Sequence, residues 1–372
     1  MNLGLNEEQK LLKSSAEKYF LNNYSFEIRR KYVEGYLDKN ELWKSLSDLG
    51  WLGLPLSSKH GGYGGSVSDV MVLMEAFGAS LVTIPYVYFT ILSGKIIEKL
   101  GSSKETLSVL SDISKGEAKI SFAFAEPQNR YDSNKINTIA KKNDNNWLIN
   151  GKKNFVVGAE ECNKLLIPAY CKEDQEIKLF LFDKDNDSLI INSYQNIDSS
   201  SVADLNFDNF VINNNNLVSS LKEEDYYKTI EYLLDYATLA NCSEALGIIN
   251  KMYDLTLEYV KTREQFGKKI GKFQVIQHRM VDLFIKKEEM RSLNYMAQVH
   301  MSESSIYRKK KISLNKIFLG THAKNFGQDC IQLHGGMGVA DEMQIGHYFK
   351  RLTSLNTIFG NADYHYKRYA GI

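Results

Sequence analysis

The sequence predicts a mainly α-helical protein with a central β domain, and two features of its 372 residues indicate this fold class. The hydrophobic period is helical in the first and last parts of the chain and falls to two between them. Four prolines in the whole chain leave long helices uninterrupted. We expect an N-terminal helical domain at residues 1–117, a small antiparallel β barrel or sandwich at residues 118–222, and a C-terminal four-helix bundle at residues 223–372.

The first part of the chain has the pattern of amphipathic helices. From about residue 6 to residue 100, apolar residues recur at three and four positions, as at Leu12, Ala16 and Tyr19, with polar residues between them. Glycines cluster in the segment 59–65, where their freedom to adopt positive φ permits a tight turn. We interpret this segment as a loop between helices.

The middle part of the chain has the pattern of short strands. Apolar and small residues alternate at Ile120, Phe122 and Phe124, and further short apolar runs follow, separated by Asn, Asp and Gly. These runs are at residues 147–149, 155–157, 165–167, 178–182 and 204–207. Because no long helical segment separates them, the pattern favours antiparallel strands over a βαβ nucleotide-binding fold.

The helical period returns in the last part of the chain. Three long segments, at about residues 225–261, 273–302 and 311–333, have this period. Gly267, Gly271 and Gly335 stand where these helices should end, as glycines commonly do after a helix C-terminus. Long helices with short connections predict an antiparallel bundle.

Composition excludes several classes of function. The 46 basic and 45 acidic residues nearly balance, which argues against a nucleic-acid-binding surface. No apolar stretch is long enough to span a bilayer, and residues 1–10 lack the pattern of a secretory signal. The four cysteines are scattered without CxxC pairing, which predicts reduced thiols, no metal site and a cytoplasmic protein.

Two motifs in the last part of the chain indicate a chemistry. The first reads Arg263-Glu264-Gln265-Phe266-Gly267 and is followed by Phe273-Gln274. The second reads Gln332-Leu333-His334-Gly335-Gly336-Met337-Gly338, and the pairs Glu126-Pro127 and Asn150-Gly151 add weaker matches in the middle part. In this order and spacing, these residues resemble the acyl-CoA dehydrogenase family across essentially the whole chain.

The resemblance implies that the chain helps to bind FAD for the α,β-desaturation of an acyl-CoA thioester. A guanidinium at a helix end suits a pyrophosphate, and glycines without Cβ atoms let backbone N–H groups approach a cofactor. The residues that the resemblance assigns to FAD binding are Arg263, Phe266, Gln274, Gln332, Gly335, Gly336, Phe124, Ala125 and Phe155. In the family the bundle residues reach the FAD of a neighbouring subunit, which implies a dimer or tetramer, with an electron-transfer flavoprotein as electron acceptor.

The catalytic glutamate of the family is missing at both of its usual positions. Most members place it after an Ile-Tyr pair near the C-terminus, where this chain has Gly360. Other members supply it from the first long helix of the bundle, at the position of Ala237 here. Asp235 should point away from that face, because two residues turn a helix by about 200°, and we expect a surface charge there. Asp363 is the candidate base, if its loop brings it into a cleft where burial raises its pKa.

The flavin-facing part departs from the family as well. Its usual Gly-x-Gly-Ser turn is replaced by residues 128–131, Gln-Asn-Arg-Tyr, and its Trp-x-Thr segment by Phe155-Val156-Val157. The segments 125–132, 346–353 and 359–363 resemble a subgroup, the small subunit of pimeloyl-CoA dehydrogenase.

Three hypotheses follow. The chain is the subunit of a hetero-oligomer that lacks the glutamate, beside a larger paralogue, or a self-sufficient enzyme that uses Asp363, or a scaffold without cofactor.

Overall fold

The computed structural model describes residues 4–133, 135–186 and 188–372, so the first three residues of the N-terminal segment considered above lie outside it. The chain divides into two compact units. The first unit comprises Met1–Leu37, Val67–Thr83 and Thr238–Ile372, and the second comprises Asp38–Ser66 and Ile84–Ala237.

The described α-helices lie at both ends of the chain and flank the strands. In chain order they are α1 (Glu7–Asn23), α2 (Phe26–Val33), α3 (Lys39–Asp48), α4 (Val67–Ala79), α5 (Lys95–Leu100), α6 (Lys104–Ser114), α7 (Glu223–Thr262), α8 (Gln274–Val299), α9 (Ser305–His334), α10 (Gln344–Thr357) and α11 (Ala362–Ala370). A buried π-helical segment, Val87–Gly94, directly precedes α5. None of the described helices has the length and apolar character needed to span a membrane.

The strands are concentrated in the middle of the chain. They are β1 (Ile120–Phe122), β2 (Ile139–Asn143), β3 (Asn146–Val157), β4 (Lys164–Cys171), β5 (Glu176–Asp183), β6 (Ile190–Gln195), β7 (Ser201–Asn213), β8 (Leu217–Leu221) and a short hairpin formed by β9 (Glu264–Gln265) and β10 (Lys268–Lys269). Among the described residues, the first eight form one sheet in the order β6-β7-β3-β2-β4-β5-β8, with β1 paired to β4.

The sheet differs in two respects from the antiparallel expectation. β4 lies parallel to both β1 and β2, while its other neighbour, β5, is antiparallel. β3 is a single long strand that joins the two separate runs expected at residues 147–149 and 155–157. Irregularities in its register against β7 break the alternation between these runs, which is why the sequence pattern reads them as two strands.

Close helix packing and buried polar pairs hold the first unit together. Gly78 of α4 lies so close to α7 that a Cβ atom there would be 1.9 Å from the carbonyl oxygen of Glu244. The buried carboxylate of Glu244 accepts two hydrogen bonds from Arg351 of α10, at 2.6 and 3.0 Å. A bidentate pair of this kind fixes orientation as well as distance. It anchors α10 to α7 inside this unit.

Candidate functional site

The first predicted site segment forms a hairpin after α7. Arg263 directly follows the helix; its N–H donates to the carbonyl of Tyr259 at 2.8 Å, and its own carbonyl accepts from Ile270 N–H at 2.9 Å. Phe266 and Gly267 form the turn, with φ values of 54° and 74°, as tight two-residue hairpins require. The Phe266 side chain is 91% exposed. The motif is therefore a turn with an outward-facing aromatic ring.

Arg263 is exposed, and within the described ranges it forms no ion pair. A surface pair with Glu258 or Glu264 would be the ordinary environment of such an arginine, but neither carboxylate pairs with it. Exposed pairs of that kind contribute little stability in any case. The guanidinium is thus available to an anion from outside the chain.

The second predicted segment lies at the C-terminal end of α9 and contains three glycines. The structure gives a different reason for glycine at each of these positions. Gly335 has a φ of 62°, a left-handed conformation that favours glycine at a helix end. Gly338 is crowded, because a Cβ atom there would lie 2.5 Å from the carbonyl oxygen of Ile331. Gly336 has neither positive φ nor a neighbour within 4 Å of a Cβ position. The packing of this chain therefore does not require glycine at 336, which is consistent with close approach by something outside the chain.

A pair of rings connects the two segments. The ring of Tyr259, in the last turn of α7, stacks on that of His334 with centroids 4.4 Å apart. The hydroxyl of Tyr259 donates to the carbonyl of His334 at 3.2 Å. We call these two residues the Tyr259–His334 brace. It holds the helix end that precedes Arg263 against the helix end that precedes Gly335.

His334 is buried and fixed in one tautomer. Its Nδ1 lies 2.8 Å from the carbonyl oxygen of Cys330, and because a carbonyl only accepts, Nδ1 carries the hydrogen. Burial lowers the pKa of His334, although the bond to Cys330 opposes this. His334 is therefore a satisfied residue at a helix end, and the sequence analysis did not predict its contact with Tyr259. The 75 residues that separate them in the chain give no signal of it.

Gln274 and Gln332 are the polar residues predicted for the same region. Gln332 is exposed in the last turn of α9, and Gln274 is exposed as the first residue of α8. Phe273, directly before α8, meets the ring of Phe266 edge-on at 6.3 Å between centroids. The helix α8 then presents exposed apolar side chains, namely Val275, Val281, Phe284 and Ile285. The region combines polar, aromatic and apolar groups on its surface.

In the second unit, Phe124 and Ala125 follow the end of β1. The ring of Phe124 stacks on that of Phe122 at 5.3 Å. The carbonyl of Ala125 accepts a hydrogen bond from Asn154 N–H at 3.0 Å, which connects this segment to β3. The predicted residues 124, 125 and 155 are thereby brought to adjacent backbone segments of one unit.

Phe155 has an unusual backbone conformation. Its φ of 53° is left-handed, which is strained for a bulky residue. The strain coincides with the register shift between β3 and β7 at Lys153 and Val156. Asp204 stabilises the bulge, because its Oδ1 accepts from Phe155 N–H at 2.9 Å and from the Tyr194 hydroxyl at 3.2 Å. The sequence identified the aromatic residue but neither the bulge nor Asp204.

The Glu126-Pro127 motif is a buried structural anchor. The carboxylate of Glu126 accepts from Lys153 Nζ at 2.7 Å and from the Thr138 hydroxyl at 2.7 Å. Burial lowers the pKa of Lys153 to about 8, and the charge of Glu126 opposes that shift. For Glu126, burial raises the pKa, but the charge and hydrogen bond of Lys153 outweigh it and hold the pKa below its ordinary value. The pair fixes the segment that follows Phe124 and Ala125.

The two positions predicted for the catalytic carboxylate of the family are both buried. Ala237 is completely buried in α7. The expectation of a surface charge at Asp235 was wrong, since this side chain is 2% exposed. Periodicity places it on a different face from Ala237, but tertiary packing covers that face too. Gly360 is buried in the connection between α10 and α11, and the candidate base Asp363 is exposed in the first turn of α11.

The groups at the ends of α7 and α9 are of the types that a diphosphate binds: a guanidinium, glycines and side-chain amides. The contact between Tyr259 and His334 joins these two helix ends. Among residues 4–133, 135–186 and 188–372, no cluster of three or more His, Cys, Asp or Glu side chains is arranged to hold a metal ion. The described residues at positions 237 and 360 supply no proton acceptor from their side chains.

Comparison with known proteins relates these features to a family. Residues 6–117, 121–210 and 227–370 match the N-terminal, middle and C-terminal domains of acyl-CoA dehydrogenases, respectively. The caffeyl-CoA reductase-Etf complex subunit CarC of Acetobacterium woodii is 23% identical over 92% of this chain and 92% of its own length.

Two solved structures share the fold. A glutaryl-CoA dehydrogenase from Mycobacterium smegmatis in complex with FADH2 has a TM-score of 0.89 and 20% identity, covering 98% of this chain and 94% of that chain. A chain of the ChsE4-ChsE5 complex from Mycobacterium tuberculosis has a TM-score of 0.88 and 19% identity, covering 100% and 98%. Together with the three domain matches, which span nearly the whole chain, this shows that the protein belongs to the acyl-CoA dehydrogenase family, an oxidoreductase family with FAD as its cofactor.

Proposed function

We propose that this chain is the subunit without the catalytic glutamate in a hetero-oligomeric, FAD-dependent acyl-CoA dehydrogenase, of the pimeloyl-CoA dehydrogenase small-subunit type. The observation that carries the proposal is an asymmetry between two sets of residues. Both positions for the base, Ala237 and Gly360, are buried and without a carboxylate. Arg263, Gln332 and Gly336 remain exposed near the ends of two helices joined by the Tyr259–His334 brace.

The first unit supplies the features that suit an FAD pyrophosphate. Arg263 forms no ion pair within the described residues, and Gly336 leaves open space where a Cβ atom would stand. A guanidinium and accessible backbone N–H groups are the donors that phosphate oxygens accept. Phe266 offers an exposed ring to the adenosine. In this proposal these groups bind the FAD of a neighbouring subunit, while bound FAD supplies the acceptor for the hydride removed from the acyl chain.

The second unit retains less of what a flavin ring needs. Phe155 keeps an aromatic side chain on a strained bulge, but Val157 stands where the family has a hydroxyl. Phe124 and Ala125 lie on the segment anchored by Glu126. We propose that these residues line a flavin-binding half-site that does not support catalysis. The larger paralogue provides the residues that face the flavin ring and the glutamate for the desaturation of an acyl-CoA.

The proposal includes partners. Residues of one subunit complete the site of another, so a dimer or tetramer is required. CarC is named as a subunit of a complex with Etf, which supports an electron-transfer flavoprotein as the electron acceptor here. A chain with this fold is also part of the solved ChsE4-ChsE5 complex, which is named for two partners. We also retain the cytoplasmic location that the scattered cysteines predict.

The competing hypothesis of a self-sufficient enzyme requires Asp363 to act as the base. A catalytic carboxyl needs a desolvated position that raises its pKa. Asp363 is instead exposed in the first turn of α11, where a carboxylate ordinarily stabilises the helix N-terminus. The geometry therefore favours the subunit without a base. If the chain were a scaffold without cofactor, it would bind no FAD, either alone or together with a larger paralogue.

The test compares the purified chain alone with the chain assembled with a larger paralogue. We expect the assembly to hold FAD and to form enoyl-CoA, and the lone chain to form none. Arg263→Gln in the assembly should weaken FAD binding about tenfold, as the loss of one charge-assisted interaction predicts. Lys18→Gln, which removes an exposed positive charge from α1, is the matched control. Turnover by the lone chain that Asp363→Ala abolishes would favour the self-sufficient enzyme.

A further inference from the structure

The connection between α10 and α11 has an unusual backbone. Phe359 has a φ of 58° and Gly360 has a φ of 108°. The first value is uncommon for a bulky residue, and the second is almost restricted to glycine. Gly360 is also buried. Two consecutive residues of this kind need surrounding contacts that hold them in place.

A side chain at residue 360 has no room in this turn. An ideal Cβ atom at Gly360 would lie 2.4 Å from Cδ1 of Tyr364 and 2.8 Å from Nε2 of His365. Both distances are below those of van der Waals contact, so one ring would have to move. Cδ1 is close to the root of the tyrosine ring, which limits how far a rotation can clear it.

His365 cannot move freely, because both of its ring nitrogens are bonded. Nε2 lies 3.0 Å from the carbonyl oxygen of Phe359, so Nε2 carries the hydrogen and donates it. Nδ1 then accepts from the hydroxyl of Ser313 at 3.3 Å. Arg368 donates to the same hydroxyl oxygen at 3.4 Å. The imidazole is 1% exposed, so displacing it would break buried hydrogen bonds.

The helix α9 fastens the same connection at two further points. Lys316 Nζ donates to the carbonyl of Leu355, in the last turn of α10, at 2.6 Å. Gly320 lies one turn further along α9, and a Cβ atom there would be 2.8 Å from Cβ of Ala362. Because Ser313, Lys316 and Gly320 are three and four residues apart, they share one face of α9. This face of α9 therefore contacts the chain on both sides of the turn, at Leu355 before it and at Ala362 after it.

We propose that Tyr364 and His365 close the Phe359–Gly360 turn to any side chain. The inference rests on the proposed function, in which this chain supplies no base. Its consequence is that substitution of Gly360 alone cannot restore a carboxylate at this position. In this proposal the chain lacks a base for two reasons: residue 360 is a glycine, and the rings packed around it leave no space for a carboxylate side chain.

The test is a comparison of unfolding temperatures. Gly35→Ala is the matched control, since Gly35 has a φ of 81° and nothing lies within 4 Å of its Cβ position. It reports the strain of an ordinary left-handed position alone, whereas Gly360→Ala adds the less accessible φ of 108° and the collision with two rings. We expect Gly360→Ala to lower Tm at least about twice as much as Gly35→Ala. In a Tyr364→Ala/His365→Ala background, the loss at residue 360 should become clearly smaller, leaving only the strain of the backbone at this position.

Equal losses at Gly35 and Gly360, or an unchanged loss at Gly360 in the double-alanine background, would overturn the inference. If that background does not fold, Tyr364→Ala alone decides the question, because the shortest distance is to Tyr364 and the bonds of His365 remain. Gly360→Glu in the complete assembly should likewise unfold earlier and add no proton acceptor; normal stability with enoyl-CoA formed at this chain's own half-site would contradict the closure. The unfolding temperatures of the Gly35 and Gly360 variants are measured on the chain without cofactor, so they do not depend on its reaction. Turnover by the lone wild-type chain would therefore refute the proposed function while leaving the closure intact.

Discussion

At the scale of single residues, Gly336 and Gly338 are two positions apart and should respond differently to the same substitution. Gly336→Ala meets no neighbouring atom, so we expect the free energy of unfolding to change by no more than about 0.5 kcal/mol. Gly338→Ala places a Cβ atom 2.5 Å from a carbonyl oxygen and should cost about 1–3 kcal/mol. The measurement is urea unfolding of both variants without cofactor.

Affinity for FAD should depend on Gly336, although the stability of the chain does not. In the assembly, Gly336→Ala is expected to weaken FAD binding about tenfold, because a methyl group would stand where the backbone meets the cofactor. Fluorescence titration of bound flavin would measure it. Unchanged affinity for Gly336→Ala would show that this glycine does not contact the cofactor.

The buried amine of Lys316 makes stability depend on pH. Burial lowers its pKa from 10.5 to about 8, although Cys242 opposes the shift. The unfolded chain therefore binds one more proton than the folded chain between about pH 8 and 10.5, and the contribution of this group to stability rises with pH in that window. The roughly 2.5 pH units between these values correspond to about 3 kcal/mol.

This dependence can be isolated by substitution. Urea unfolding of the wild type and of Lys316→Met across pH 7–10 compares a chain that has the amine with one that lacks it. We expect the difference in free energy of unfolding between them to shift in favour of the wild type above pH 8. A difference that stays constant over this range would mean that the amine titrates normally.

At the scale of elements, the Tyr259–His334 brace joins α7 and α9. Two separate motifs, one at the end of each of these helices, are predicted to bind FAD. Tyr259→Ala removes both the stacked ring and the hydroxyl that donates to the carbonyl of His334, and we expect it to weaken FAD binding to the assembly about tenfold. Tyr259→Phe keeps the stack and should lose less. Tyr366→Ala, at an exposed position of α11, is the control. Normal affinity in a destabilised Tyr259→Ala variant would assign the brace a structural role only.

The elements themselves were largely predictable. Period and helix-stopping glycines predicted α7 and α8 to within about three residues, because burial of one face imposes the pattern locally. They predicted the end of α9, but this helix begins at Ser305, earlier than the expected start at about residue 311. The short strands β2, β6 and β8 escaped prediction, and so did the continuity of β3. Polar residues dominate β6, an edge strand of the sheet, and the bulge at Phe155 interrupts the alternation of β3.

At the scale of the whole molecule, the exposed apolar residues of α8 predict an interface between subunits. Val281, Phe284 and Ile285 are about half exposed. A cluster of this kind favours a protein partner. We expect Phe284→Glu to lower the mass of the assembly in sedimentation experiments, because a charge would be buried without a partner. Leu21→Glu, at a residue of α1 that is 80% exposed, should leave the mass unchanged. Equal masses for both variants would place the interface elsewhere.

The sequence could predict those features of the candidate site that depend only on which residue occupies a position. Motifs in the sequence assign Arg263, Phe266, Gln332 and the glycines to FAD binding, and this assignment stays a prediction. The missing carboxylates at 237 and 360 follow from reading two positions. The brace, the anchoring of Phe155 by Asp204 and the burial of Asp235 were not predictable. Each depends on contacts between segments far apart in the chain, which leave no local pattern.

The sequence by itself determined the order of helical and strand segments, the family resemblance and the absence of a carboxylate at two positions. These properties depend on local periodicity and on which side chain occupies a position. Only the tertiary structure decided that Gly360 lacks space for a side chain, and that the ends of α7 and α9 meet. Distances between remote segments arise when the whole core packs, and no local pattern specifies them.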